Sequence, residues 1–293
     1  MRRTRTGIQL AYPYELKRFK RFNLPAIAQP KLNGERCRVQ LTPGCAPLFL
    51  SSTEEPIVSI THLFEVFQVL SERVIQAPLE LDGELYAHGM PLEDIHSIVS
   101  RKFESTIHEN CEQVGFHCFD VVDETLPQIA RTRLLNTLFK TILKGVPHVY
   151  HVDFMPVSSE DDVMQLLETY IRQGFEGIIV REPMATYVRR RSPFMLKFKP
   201  RQHDIYPIIR LVEAIDKYGE PKGMVGSILC GDSDGSVFEV SAGQLNHLER
   251  TVAWMERDDY IGGFCECLYQ NKTSKRGVPY AAVCTLLHKN RDK

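Results

Sequence analysis

The chain has 293 residues, 43% of them hydrophobic, and a formal net charge of −1. That is material for one large or two medium cores, and the balanced charge excludes a nonspecific nucleic-acid glue. No apolar run is long enough to span a membrane, the Arg-rich start from Met1 to Gly7 leads into no apolar signal segment, and the eight scattered cysteines contain no Cys-x-x-Cys pair. A cytoplasmic protein with reduced, packed thiols and no membrane partner is expected.

In chain order, the basic and aromatic first 25 residues suggest a short helix around Glu15 to Phe22. The apolar Leu24-Pro25-Ala26-Ile27-Ala28 runs as a strand into Lys31. Arg38 to Leu41 and Leu48 to Ser51 read as a hairpin across Pro43-Gly44. Ile60, Leu63, Phe64, Phe67, Leu70 and Val74 keep helical spacing until Pro78. Leu79 to Tyr86 is strand-like, Pro91 opens a short helix to Arg101, and Val114 to Val122 is the next strand. Two amphipathic helices follow, Leu126 to Leu143 and Ser159 to Gln173. The second begins with Ser159 three residues before Asp162 and stops at Gly174. Strands Gly177 to Arg181 and Phe194 to Lys199 close a first domain, and Pro200 to Pro207 reads as a linker. Five short strands and one helix, Gln244 to Glu256, fill the rest, as in a small barrel.

Chemistry concentrates at strand ends. Lys31 projects from an apolar run, where partial burial and nearby cations can make an amine nucleophilic. Gly34 lets the backbone approach a ligand, and Arg36 offers a fork-shaped donor suited to phosphate. Positive charge is clumped at Arg2, Arg3 and Arg5; Lys17, Arg18, Lys20 and Arg21; Arg189 to Arg191; Lys197, Lys199 and Arg201; and Lys272, Lys275 and Arg276. Such clumps fit a phosphate-tracking face.

Lys31-Leu32-Asn33-Gly34-Glu35-Arg36 resembles motif I, Lys-x-Asp-Gly-x-Arg, of the covalent nucleotidyltransferases: ATP-dependent DNA ligases, RNA ligases and mRNA capping enzymes. Five further segments resemble that family's motifs in order. They are Asp82-Gly83-Glu84, Phe116-His117-Cys118-Phe119-Asp120, Glu176-Gly177-Ile178-Ile179-Val180, Lys197-Phe198-Lys199 and the terminal Arg291-Asp292-Lys293. The chain departs from the ligase pattern at Asn33, Gln29, Ser51-Ser52-Thr53 and Asn290, where ligases carry Asp, often Glu, Ser-Arg and Arg.

The resemblance implies an α+β chain. A nucleotidyltransferase domain (ATP-grasp-like, adenylating) of antiparallel sheets and helices would occupy residues 1–203, and an OB-fold β-barrel residues 204–293. It implies an ATP-dependent DNA ligase that carries AMP on Lys31 and seals nicks in duplex DNA as a monomer. Lys197 and Lys199 would neutralise the α-phosphate, and Glu84 and Glu176 would place Mg2+ or Mn2+. Gln29 would accept from the adenine, Phe116 would stack on it while Phe119 stays in the core, Arg36 would touch the nucleotide, and Arg291 and Lys293 would orient pyrophosphate. Arg36 or Arg38 would take over the nick 5′-phosphate from the missing Ser-Arg. Alternatives are an RNA ligase, a capping guanylyltransferase, or a clamp without chemistry.

Overall fold

The computed structural model describes residues 7–102, 107–269, 272–273 and 276–290. The chain divides into two compact units, Met1–Phe198 and Lys199–Lys293. The division falls five residues before the expected break at 203/204.

Among the described residues the first unit has strands β1 (Leu10–Pro13), β2 (Ala26–Lys31), β3 (Glu35–Leu41), β4 (Leu48–Ser51), β5 (Leu79–Tyr86), β6 (Gly115–Val121), β7 (Val149–His151), β8 (Met155–Val157), β9 (Gly177–Arg181) and β10 (Arg191–Phe198). Its helices are α1 (Leu16–Phe19), α2 (Thr61–Arg73), α3 (Leu92–Val99), α4 (Gln128–Lys140) and α5 (Glu160–Arg172). The strands form two sheets, ordered β1-β10-β9-β2-β8 and β4-β3-β5-β6-β7. Both are mixed rather than purely antiparallel, because β1 runs parallel to β10 and β6 parallel to β7. The unit is a mixed α+β structure.

Alternation sorts each strand's side chains between a core and a facing surface. Ile178, Val180 and Leu196 pack with Val163, Leu167 and Tyr170 of α5. Cys37, Val39, Leu85, Phe116 and Cys118 pack with Leu63 and Phe67 of α2 and Ile95 and Ile98 of α3. α5 starts as its sequence proposes: Ser159 Oγ accepts from the Asp162 amide at 3.1 Å, and the Asp162 carboxylate accepts from the Ser159 amide at 3.0 Å.

The segment expected to be a linker is instead the start of a strand. β11 (Gln202–Ile215) pairs through Gln202–Pro207 with β14 (Phe264–Tyr269) and through Ile208–Ile215 with β12 (Pro221–Gly231). By serving two partners in succession it bends round and helps close a barrel, completed by β13 (Val237–Ser241) and β15 (Val283–His288) in the order β11-β12-β13-β15-β14. Helix α6 (His247–Met255) and the short α7 (Arg257–Tyr260) accompany it. All eight cysteines are free thiols, and all but Cys45 are buried.

Candidate active site

β2 carries Lys31 to the end of the first sheet. Gln29 lies opposite Ile179 and Lys31 opposite Gly177 on β9, while Ile179 also lies opposite Lys197 on β10. Paired residues share a face, so Lys31, Gln29 and Lys197 project together, with Lys197 two strands or roughly 10 Å from Gln29. Lys199 is the first residue of the second unit.

Glu176, just ahead of β9, is tied to Lys31 twice. Its amide donates to the Lys31 carbonyl oxygen at 3.0 Å, and its carboxylate forms an ion pair with Nζ. The immediate partner of Lys31 is therefore a carboxylate rather than the crowd of cations expected from the sequence.

The second sheet supplies the opposing surface. Gly34, in the turn between β2 and β3, lies so close to β5 that a Cβ there would stand 2.3 Å from the Leu85 carbonyl oxygen. Absence of a side chain, not backbone freedom, is what the turn requires. Arg36 is in register with Glu84, and Glu84 with His117. Burial pushes the Glu84 carboxyl up to about 7, against the pull of Arg36 and Lys31 and with a further push from Glu176. Glu84 therefore senses both members of the Lys31–Glu176 pair.

A bulge in β6 completes this surface. Asp82 pairs with Asp120 and Gly83 with Cys118, which leaves Phe119 as the extra residue. Phe119 and Asp120 both turn towards the first sheet as a result. Arg36 lies over the Phe119 ring at 4.5 Å and Arg181 at 5.4 Å from its centroid. Asp120 accepts from Arg181 Nη1 at 3.2 Å and from Arg131 Nε at 3.0 Å, with all three side chains buried. Gln29 bridges the sheets: Nε2 donates to the Phe119 carbonyl at 3.1 Å, and Oε1 accepts from Arg181 Nε at 2.9 Å.

Several expected roles change. Phe116 is fully buried in the core against Phe67, at 5.7 Å between ring centres, so it offers no platform to a ligand; Phe119 is the aromatic on the site face. Their placement follows from pairing, because Phe116 stands opposite Leu85, a core residue, and His117 opposite Glu84. Arg36 is held through Nε and Nη2 by the buried Asp82 at 2.6 and 2.5 Å, and Tyr187 donates to the same carboxylate at 2.7 Å. It is a fixed strut beneath the site rather than a mobile phosphate donor. Arg38 is 1% exposed and paired with Glu54 and Glu80, which rules it out as a substitute for the missing nick-binding arginine. Gln29 is 3% exposed and already bonded at both ends of its amide. Arg291 and Lys293 lie outside the described residues.

The basic clumps are also partly engaged within the protein. Arg189 pairs with Glu80 and Glu124, Arg191 donates to the Ala11 carbonyl, Arg18 pairs with Glu15, and Lys272 pairs with Asp232. Arg131, Arg181 and Tyr187 were not singled out from the sequence; Asp82 and Asp120 stood there only as members of motif segments, and Phe119 was expected in the core. Arg181 carried a usable signal, a charge two residues beyond Ile179 and thus on the Lys31 face.

Among the described residues no group of three or more His, Cys, Asp and Glu side chains could cage a metal. Two carboxylates beside Lys31, one raised by burial and lacking full compensation, suit a hard cation that takes its remaining ligands from water and phosphate.

A family model described as ATP dependent DNA ligase domain matches residues 9–199, and the chain belongs to that family. A DNA ligase of African swine fever virus (isolate Pig/Kenya/KEN-50/1950) is 28% identical over 178 residues, covering 59% of this chain and 41% of the viral protein. A DNA ligase of Haemophilus influenzae is 26% identical over 177 residues, covering 59% of this chain and 61% of its own length. The chain thus spans about two fifths of the length of the viral relatives it matches. A solved Lig E DNA ligase shares the fold over 96% of this chain and 99% of its own, with a TM-score of 0.75 at 22% identity.

Proposed function

We propose that this chain is an ATP-dependent DNA ligase that seals 5′-phosphate/3′-hydroxyl nicks in duplex DNA through AMP carried on Lys31. The observation that carries the reading is the Lys31–Glu176 ion pair, set beside Glu84 and on the same sheet face as Lys197. Residues 1–198 are the adenylation domain, and the closed barrel is an OB-fold domain. The enzyme works as an intracellular monomer; no helix among the described residues is long and apolar enough to cross a membrane.

Glu176 holds the Lys31 ammonium in the resting site. Nζ gives its ammonium proton to the paired Glu176 carboxylate and attacks the α-phosphorus as the free amine; the N–P bond forms as the bond to pyrophosphate breaks, and the second amine proton leaves to water. Lys197, with Lys199, neutralises the phosphate oxygens. Magnesium held by Glu84 and Glu176 would supply charge neutralisation at the same phosphate. Phe119 takes the stacking role, and Gln29, oriented by Arg181, borders the base. AMP then passes to the 5′-phosphate of the nick, and the 3′-hydroxyl displaces it.

Incubation with magnesium and ATP or GTP labelled at the α-phosphate tests the reading. Label on the denatured chain from ATP, absent with Lys31→Ala, is expected; no transfer, or equal transfer with Lys31→Ala, refutes it. Transfer from GTP instead would favour a capping guanylyltransferase. Nicked duplex DNA and a nicked RNA–DNA hybrid, offered next, separate the DNA from the RNA substrate.

A further inference from the structure

Beside the reacting cluster lies a cavity of about 560 Å³ that the chemistry above leaves unused, lined by Tyr86, His88, Met90, Gln113, His117 and Tyr150. Its walls are flat rings. His117 and Tyr150 stack with centroids 4.7 Å apart and planes 27° apart, and Tyr86 meets His117 edge-on at 5.2 Å. The arrangement depends on Gly115, where a Cβ would stand 2.5 Å from the Tyr150 ring, so that ring lies over β6 only because position 115 has no side chain. Tyr150 nevertheless remains 48% exposed. At the rim Tyr86 Oη and His88 Nδ1 are 2.7 Å apart, and Gln113 adds an amide.

The cavity adjoins the reaction centre on two sides. His117 is in register with Glu84, and His88 packs against Phe175 at 5.1 Å, next to Glu176. It is separate from Phe119, which lies two residues further along the same face of β6. A volume of this size suits a nucleoside-sized ligand, and flat rings with a few polar groups at the rim suit a nucleobase. Under the ligase reading, on which this step rests, what reaches Glu84 and Glu176 besides ATP is a strand end. We propose that the cavity receives the unpaired nucleobase of a frayed or mismatched terminal nucleotide at the nick, through stacking on the half-exposed Tyr150 ring that His117 backs.

The test is equilibrium binding by fluorescence anisotropy to two nicked duplexes, one with a mismatched terminal nucleotide and one with an abasic residue at that position. The wild-type protein should bind the base-bearing end about tenfold more tightly. Tyr150→Ala should bind both ends alike, and Tyr150→Phe should keep the preference. Equal binding of the two duplexes by the wild type, binding of neither, or a full preference in Tyr150→Ala overturns the proposal. Label transfer from ATP to Lys31, measured on the same preparations, is expected unchanged in Tyr150→Ala. Transfer without base preference means that the cavity assignment alone has failed; base preference without transfer means that the ligase reading has failed and the cavity assignment stands.

Discussion

At the residue scale, the site is held by close approaches that admit one residue type. Replacing Gly34 with Ala forces a methyl group to within 2.3 Å of the Leu85 carbonyl, and neither strand can retreat without breaking its ladder. The expected loss is about 3 kcal/mol in urea denaturation, and an unchanged midpoint would contradict the packing described. His117 makes a pH-dependent contribution. Its imidazole titrates near 4 in the folded protein and near its ordinary value when unfolded, so between those values the unfolded chain binds more protons. Stability from this group is complete above its ordinary value and falls as the pH drops towards 4, by roughly 2–3 kcal/mol. In chemical denaturation, His117→Gln should lose less stability than the wild type between pH 7.5 and 4.5; parallel losses would sink the assignment. The choice between Phe116 and Phe119 follows from strand register, which pairs Glu84 of the site face with His117 and Phe116 with the core residue Leu85. The bulge that turns Asp120 to the same side has no sequence marker.

Elements with local signals match their sequence closely. The Ser159/Asp162 box opens α5 where spacing placed it, and Asn246 with Glu249 opens α6 in the same way, through bonds of 2.9 and 2.7 Å. Ser159→Ala is expected to lower stability by about 1 kcal/mol, read as a shifted denaturation midpoint with an unchanged slope. Elements lacking such signals were missed. β7 and β8 have three residues each, too few to display a period, and β1 is defined by its pairing with β10, 180 residues away. The linker reading of Pro200 to Pro207 failed for a related reason: its two prolines suggest a break, yet Pro207 sits in a ladder opposite Phe264.

For the whole molecule, the hydrophobic clusters respect the division at Phe198/Lys199. Among the described residues, two lie in the first unit and one in the second. Each unit therefore has the means to fold alone. Residues 1–198 expressed by themselves should show a cooperative thermal transition and still take label from ATP at Lys31 more slowly than the full chain. A chain without a cooperative transition would show that the units depend on one another. Binding of nicked duplex by the full chain should weaken steeply with salt, although less than a count of arginines implies, because Arg189, Arg191 and Arg18 are held by partners within the protein. A flat salt response would exclude a phosphate-tracking face.

What the sequence determined by itself was local or motif-borne: the lysine at a strand end, the capped helices, and six motif segments whose order points to the ligase family. These rest on periodicity and residue chemistry, which act over a few positions. Only the tertiary structure decided which neighbour meets Lys31, that Arg36 is fixed by Asp82, that Phe119 replaces Phe116 on the site face, and that Asp120 gathers two buried arginines. Those contacts join residues distant in the chain, and strand register, a bulge and burial set them, none of which is written at any single position.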